Sequence, residues 1–326
     1  MKRFNNILCV VALGAGRKPA LERAVTLAEN NQASLMVIDV TERITAGIGM
    51  PEGGPISADL QAAIVSAHEQ ELNALIEPYR QRVTLQTRVL IGTPFLEIIR
   101  EVLRNGRDLV IKTAESWEWH DRLFGSDDMH LLRKCPCPVW LIKPQATKAY
   151  RRILAAVDVD DTYPPQEMES RHALNRQLLE MASSLALADF AELHVVHAWD
   201  AIGESVMRSA SMRTPEEKII AYVEQERQHH AANLGVLMRE GAAFAGQDAL
   251  DYLKPRTHLV KGLARKEIPA LAKKIEADLV VMGTVGRTGV PGFIVGNTAE
   301  TILNQIDCSV LAIKPPGFVT LVTLED

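Results

Sequence analysis

No run of about 18 consecutive apolar residues occurs in the chain, so no membrane-spanning helix is expected and no membrane partner is indicated. Cysteine is sparse. Cys9, Cys135, Cys137 and Cys308 fit neither a paired CxxC zinc frame nor a secreted disulfide framework. They are read as buried thiols of a reducing compartment, which places the protein in the cytoplasm. Cys135-Pro136-Cys137 is read as a turn into a strand rather than a redox motif. Positive charge is not in excess. A net charge of −5 offers nothing to bulk nucleic acid, although a local phosphate pocket remains compatible with it. The Walker pattern GxxxxGK(S/T) is missing. Gly14-Ala15-Gly16 begins a dinucleotide fingerprint, but Pro19 stands where its third glycine belongs. No Ser–His–Asp set, nucleophile elbow or paired-carboxylate site can be assembled. His194 and His197, three apart in a strand, face opposite ways, and His229 and His230 diverge on a helix. No catalytic or metal-ligating residue is therefore assigned.

What is present is a repeat. Lys2 and Arg3 followed by the apolar run Ile7 to Ala12 imitate a signal peptide. The same pattern recurs in mid-chain at Arg151 to Asp158, where no signal could act, so the first run is read as a strand. Asn6–Ala12 aligns with Arg152–Asp158, Leu35–Val40 with Leu193–Ala198, Val89–Gly92 with Leu259–Gly262, and Arg133–Pro144 with Asn304–Pro315. Four matches in one order divide the 326 residues into two domains, 1–147 and 148–326, around a linker at Gln145–Tyr150.

Within the first copy, Ile7–Val11, Leu35–Ile38, Val83–Ile91, Leu109–Ile111 and Val139–Ile142 are short, β-branched apolar runs, and continuous apolar runs are the signature of strands buried on both faces. Helical periods separate them: Ala20, Leu21, Ala24, Val25 and Ala28; then Ile98, Ile99, Val102 and Leu103; and in the second copy Ile268, Leu271 and Ile275. Thr214-Pro215-Glu216-Glu217 is a capping box opening a helix through Arg239. Strand and helix alternate, which predicts two doubly wound α/β domains with parallel sheets, ligands sitting at the carboxyl ends of the strands.

The most informative segment runs from Leu279 to Glu300. A buried strand enters a loop with glycines at 283, 286, 289, 292 and 296, and the loop opens a helix with Asn297 as N-cap and Glu300 three residues on. Glycines allow backbone N–H groups to approach a ligand, and a helix N-terminus favours an anion. Arg287 adds a positive charge. The spacing Gly283-x2-Gly286-x9-Gly296-Asn297-Thr298 resembles the G-2x-G-9x-G-(S/T) motif of ATP-binding universal stress proteins, and the whole chain resembles the tandem, two-domain members of that family. The resemblance implies a Rossmann-like fold of the adenine nucleotide alpha hydrolase type and an adenine nucleotide (ATP, ADP or AMP, with or without Mg²⁺) in the second domain. By the same resemblance Asp158 sits near ribose and adenine, with Ala156 and Val157 on the adenine side. Ala198 offers its backbone to the adenine edge, Met282 and Gly283 pack on the nucleoside, and Gly286, Gly296, Asn297 and Thr298 hold phosphates. Asn297 departs from the family's serine or threonine, the hydroxyl arriving one residue later at Thr298. Asp160 and Asp161 either assist a Mg²⁺ or form a polar loop.

Carried back by 171 residues, Gly296 falls on Gly125, Gly283 on Lys112 and Gly286 on Glu115, while Asp158 falls on Ala12. Asp127 and Asp128 follow, carboxylates suited to a helix dipole and repellent to phosphate. The first domain is expected to have lost this site, although Trp117, Trp119 and His120 leave another ligand open there. The leading expectation is a stress-response regulator that changes an unidentified protein partner with nucleotide occupancy. A slow ATP hydrolase and a nucleotide-independent scaffold are the alternatives. The resemblance, in which dimers of the family pair at their last strands, makes Val139–Ile142 and Val310–Ile313 the expected seam of an internal pseudo-dimer, with Ala46–Ser57 and Asp200–Thr214 as candidate partner surfaces. A homodimer of the whole chain is left open.

Overall fold

A computed structural model describes residues 4–12, 18–44, 55–115, 126–147, 149–209, 212, 214–245, 247–284 and 296–324. The first half runs β1 (Asn6–Val10), α1 (Lys18–Asn31), β2 (Ser34–Thr41), α2 (Pro55–Ile76), β3 (Leu85–Ile91), α3 (Pro94–Asn105), β4 (Leu109–Thr113), α4 (Ser126–Lys134) and β5 (Val139–Ile142). The second runs β6 (Arg152–Ala156), α5 (Pro165–Asp189), β7 (Glu192–Trp199), α6 (Glu204–Met207), α7 (Glu216–Ala245), α8 (Gln247–Leu253), β8 (Arg256–Lys261), α9 (Ala264–Lys274), β9 (Leu279–Gly283), α10 (Asn297–Leu303) and β10 (Ser309–Ile313). The apolar run that imitates a signal peptide is β1, a strand held between β2 and β4.

All ten strands form one sheet in the order β3-β2-β1-β4-β5-β10-β9-β6-β7-β8. Every neighbouring pair is parallel except β5 and β10, which meet antiparallel with Trp140 opposite Leu311. The last strands of the two repeats thus join the halves edge to edge, and each closes an edge that would otherwise be open. Successive side chains of a strand alternate between the faces of a sheet. Ile7 and Cys9 accordingly enter a core with Leu21, Leu72, Leu174 and Leu234, beneath α1, α2, α5 and α7. Leu8 and Val10 enter a second core with Ile98, Leu131, Ile268 and Ile302, beneath α3, α4, α9 and α10. The fold is mixed α/β, doubly wound, with helices on both faces of a mostly parallel sheet. Among the described residues no helix is long and apolar enough to cross a membrane.

Three local expectations change. The terminal strand β3 is half-exposed rather than buried, because it has a neighbour on one side only; β8, at the opposite edge, is exposed in the same way. Helix α7 continues past Arg239 to Ala245; one glycine, Gly241, costs a helix about 1 kcal/mol, too little to end it. Helix α10 starts one residue earlier than expected. Gly296 (φ −57°, ψ 140°) is its N-cap, and no side chain caps it. Asn297 is the first helical residue and is exposed.

The register also corrects the correspondence between the halves. Val10 pairs with Lys112, and Ala156 pairs with Met282. Lys112 is therefore the counterpart of Met282, and Thr113 of Gly283. The shift is one residue, because the segment between β4 and α4 is one residue shorter than that between β9 and α10.

Candidate functional site

A cleft of about 420 Å³ opens at the carboxyl ends of β6, β7 and β9. Doubly wound sheets bind ligands at this end, where the connections from adjacent strands leave in opposite directions. Ala156, Val157 and Asp158 come from the end of β6, Ala198 from β7, Met282 and Gly283 from β9, and Gly296 and Thr298 from the start of α10. The fold brings these eight expected residues to one cavity. Asn297 is exposed and not part of the lining. Gly286 and Arg287 lie outside the described residues, as do Trp117, Trp119 and His120 of the first half and most of Ala46–Ser57.

Each wall has a local cause. Gly283 leaves room for α5: a Cβ built there would stand 2.7 Å from Leu174 Cδ2. Gly262 has φ +137°, a left-handed conformation that favours glycine, and lines the cleft beside Leu263. Asn175 fixes the backbone of Asp158 from both sides. Its Oδ1 accepts from the Asp158 N–H at 3.0 Å, and its Nδ2 donates to the Asp158 carbonyl at 2.6 Å.

The Asp158 carboxylate is engaged. Arg171 Nη1 donates to Oδ2 at 2.8 Å, and the Tyr163 hydroxyl donates to the same oxygen at 3.0 Å. Oδ1 accepts from the Asp160 N–H at 3.3 Å. The Arg171 guanidinium lies 3.4 Å over the Tyr163 ring. Burial, then the neighbouring Asp158 charge, pushes the Tyr163 hydroxyl up to about 12, so it remains a donor. Arg171, Tyr163 and Asn175 line the cleft without belonging to the glycine motif. Their only signal in the sequence is a cation and an aromatic near the start of the helix that follows Asp158.

His197 sits behind this wall, its Nδ1 3.3 Å from the Val157 carbonyl. His197 Nε2 meets His230 Nδ1 at 3.1 Å, and His194 Nδ1 meets His258 Nε2 at 2.9 Å. His229 faces away, against Asp161 at 2.9 Å. Among the described residues no cluster of three metal-ligating side chains occurs.

At the corresponding strand end of the first half stands an ion-paired cluster. Lys112 Nζ donates to Asp128 Oδ1 at 2.7 Å and to Glu115 Oε1 at 3.0 Å. Asp128 is fully buried and its Oδ2 accepts from the Glu115 N–H at 2.8 Å. Burial opposes the charge on Lys112, but Asp128 and Glu115 outweigh it and hold its ammonium above the usual range. Asp128 therefore does not face an incoming anion, as its place in the sequence suggests; it is turned inward and paired.

The family model described as the universal stress protein family matches residues 3–143 and again 149–314. The chain belongs to the universal stress protein family. Two copies of the family's domain lie in tandem, as the repeat requires. Universal stress protein E of Escherichia coli K12 is 32% identical, the alignment covering 100% of this chain and 99% of that one. The Haemophilus influenzae homolog of universal stress protein E is 30% identical over 96% of this chain and 98% of its own. A putative universal stress protein from Pseudomonas aeruginosa UCBPP-PA14 has the same fold, with TM-score 0.67 and 27% identity, covering 96% of this chain and 94% of that one.

Proposed function

We propose that this family member holds an adenine nucleotide in the second-half cleft and acts as a stress-response regulator whose protein contacts change with occupancy. The observation that carries the reading is convergence: eight residues picked for one ligand from three strands and a helix line one 420 Å³ cavity. That volume lies in the range of small-molecule sites, about 300–1,000 Å³. ATP is the leading candidate, with ADP and AMP next. The apolar side of the cleft, with Val157, Leu178, Ile268 and Met282, suits a purine face. Asp158 is the acceptor for ribose hydroxyls, which replace the Tyr163 and Arg171 donors when they bind. Arg171, once displaced, supplies a cation that remains inside the cleft.

Isothermal titration of the full chain with ATP, ADP and AMP tests this. Asp158→Ala is expected to weaken the preferred nucleotide at least tenfold, and Lys112→Met in the first half to leave its affinity unchanged. Equal affinity in Asp158→Ala and the parent sinks the assignment. The nucleotide that co-purifies, read by mass spectrometry of denatured protein, identifies the physiological ligand.

A further inference from the structure

All four cysteines are free and buried, yet they fall into two kinds. Burial pushes the thiols of Cys9 and Cys308 up to about 12. Thiols so placed are poor nucleophiles, because the thiolate is the reactive form. Cys135 and Cys137 are different. Pro136 holds them in the short turn between α4 and β5, and their sulfurs approach to 3.6 Å. Cys137 retains 9% of its surface, and Cys135 none.

A third group completes the cluster. Lys314, directly after β10, is buried and donates to the Leu132 carbonyl and to the Thr284 hydroxyl. Burial lowers its ammonium to about 7, and the two cysteines are the charges that act against this. Burial alone would raise the Cys135 thiol. A hydrogen bond from the Cys137 thiol, another from the Cys137 backbone and the Lys314 charge outweigh it and lower it. Cys135 is thus the more acidic of two sulfurs in contact, and Lys314, lowered to about 7, is a buried amine whose charge acts on it.

We propose that Cys135 and Cys137 form a peroxide-responsive dithiol that closes to a disulfide, with Lys314 as its proton carrier. Cys135 gives its proton to the Lys314 amine, and the thiolate attacks one oxygen of hydrogen peroxide. The O–O bond breaks, Cys135 becomes a sulfenic acid, and the departing hydroxide leaves as water with the proton from Lys314. The Cys137 sulfur then attacks the Cys135 sulfur. The S–S bond forms, the S–O bond breaks, and the second hydroxide leaves as water with the Cys137 proton. Two sulfurs supply two electrons, and one peroxide becomes two waters. Burial selects the oxidant, since a molecule little larger than water reaches the pair at the edge of Cys137 and a bulky disulfide does not. Disulfide formation stops the oxidation ladder at its reversible rung. Nothing in this chemistry requires a ligand in the cleft.

The test is oxidation of the intact chain with hydrogen peroxide, followed by denaturing alkylation and peptide mass mapping. The expected product is a 135–137 peptide that has lost two hydrogens and regains them with dithiothreitol, while Cys9 and Cys308 remain alkylatable. Oxidised glutathione is expected to act at least tenfold more slowly. Lys314→Met is expected to slow closure about tenfold, and Cys135→Ser to abolish it. The pH profile of the parent protein gives the same information without a variant: the rate should level off below about pH 8.5, where a free thiol is half ionised. Oxidation of Cys9 or Cys308 at the same rate, absence of the 135–137 disulfide, or a rate still rising through pH 9 would each overturn the proposal.

Discussion

Arg23 and Asp189 form a buried ion pair between helices from opposite halves of the chain. Arg23 Nη1 donates to both carboxylate oxygens, at 2.8 and 2.7 Å, across 166 residues of sequence. The Tyr150 N–H donates to the same carboxylate at 2.8 Å, and the guanidinium lies 4.3 Å over the Tyr150 ring. Beside it stands Trp140, the central residue of the β5–β10 seam. The cation therefore connects α1, the end of α5 and the linker where the sheet joins.

Removing one member of such a pair leaves an uncompensated buried charge, which costs about 3–5 kcal/mol. Arg23→Met is expected to lower unfolding stability by that amount in a urea titration. The double variant Arg23→Met/Asp189→Leu should recover most of it, because two apolar side chains need no counter-charge. Additive losses in the double variant would contradict this account.

Lys112 and Asp128 offer a matched experiment inside the molecule. Their counterparts in the second half are Met282, by strand register, and Ala299, at the same burial position of the following helix. Lys112→Met alone strands the fully buried Asp128 and should cost about 3–5 kcal/mol. Lys112→Met/Asp128→Ala copies the second half and should be closer to the parent than Lys112→Met is. Thermal denaturation of the three proteins decides it.

The sheet was legible because its strands are written as continuous apolar runs, and every internal strand except β7, which His194 and His197 interrupt, contains such a run. The family resemblance pointed to the seam, and Val139–Ile142 and Val310–Ile313, which match in sequence, do meet in space. What escaped was set by tertiary contact. Asp158 was visible at the end of β6, but its partners Tyr163 and Arg171 reach it only after α5 folds back over the cleft. The role of Lys112 was hidden by an ungapped alignment that is wrong by one residue, and one residue reverses which face of a strand a side chain occupies. Asp128 looked like an exposed first-turn acid because helix position, rather than depth, is what the sequence displays.

Gly283 was read as a residue that lets a ligand approach, and its nearest neighbour is a side chain. A methyl group at this position would meet Leu174 Cδ2 at 2.7 Å. Gly283→Ala is therefore expected to destabilise by about 1–3 kcal/mol through overpacking. Leu174→Ala, at a buried site, should cost about 2–5 kcal/mol on its own. Together they should cost at least 1 kcal/mol less than the sum, because the shortened side chain makes the space the new methyl needs. A double-mutant cycle by urea denaturation measures the coupling, and a coupling near zero would remove Leu174 as the reason for the glycine.

Stability should fall as the solution is acidified below neutrality, and buried histidines are the cause. Burial lowers His194, His197 and His258 below the ordinary histidine range. Their neutral forms are favoured in the folded chain, so between the folded and unfolded values the unfolded chain binds more protons. The stabilisation is present above the unfolded value, about pH 6.5, and is lost as pH falls from there through the lower folded values. Each histidine contributes at most about 1.4 kcal/mol per pH unit. His229, raised by its bond to Asp161, acts in the opposite direction but is largely exposed and weak. Lys314 adds a slope of the same sign above about pH 6.5 and little below it. Lowered to about 7 by burial, it gives its slope between its unfolded value near 10.4 and pH 7, and levels off below. Urea denaturation at pH 7.5, 6.5 and 5.5 should therefore show a decline concentrated in the lower interval. Replacing His194, His197 and His258 together by glutamine should flatten it, whatever that triple variant's stability at pH 7.5. An equal slope in parent and variant would place the acid sensitivity elsewhere.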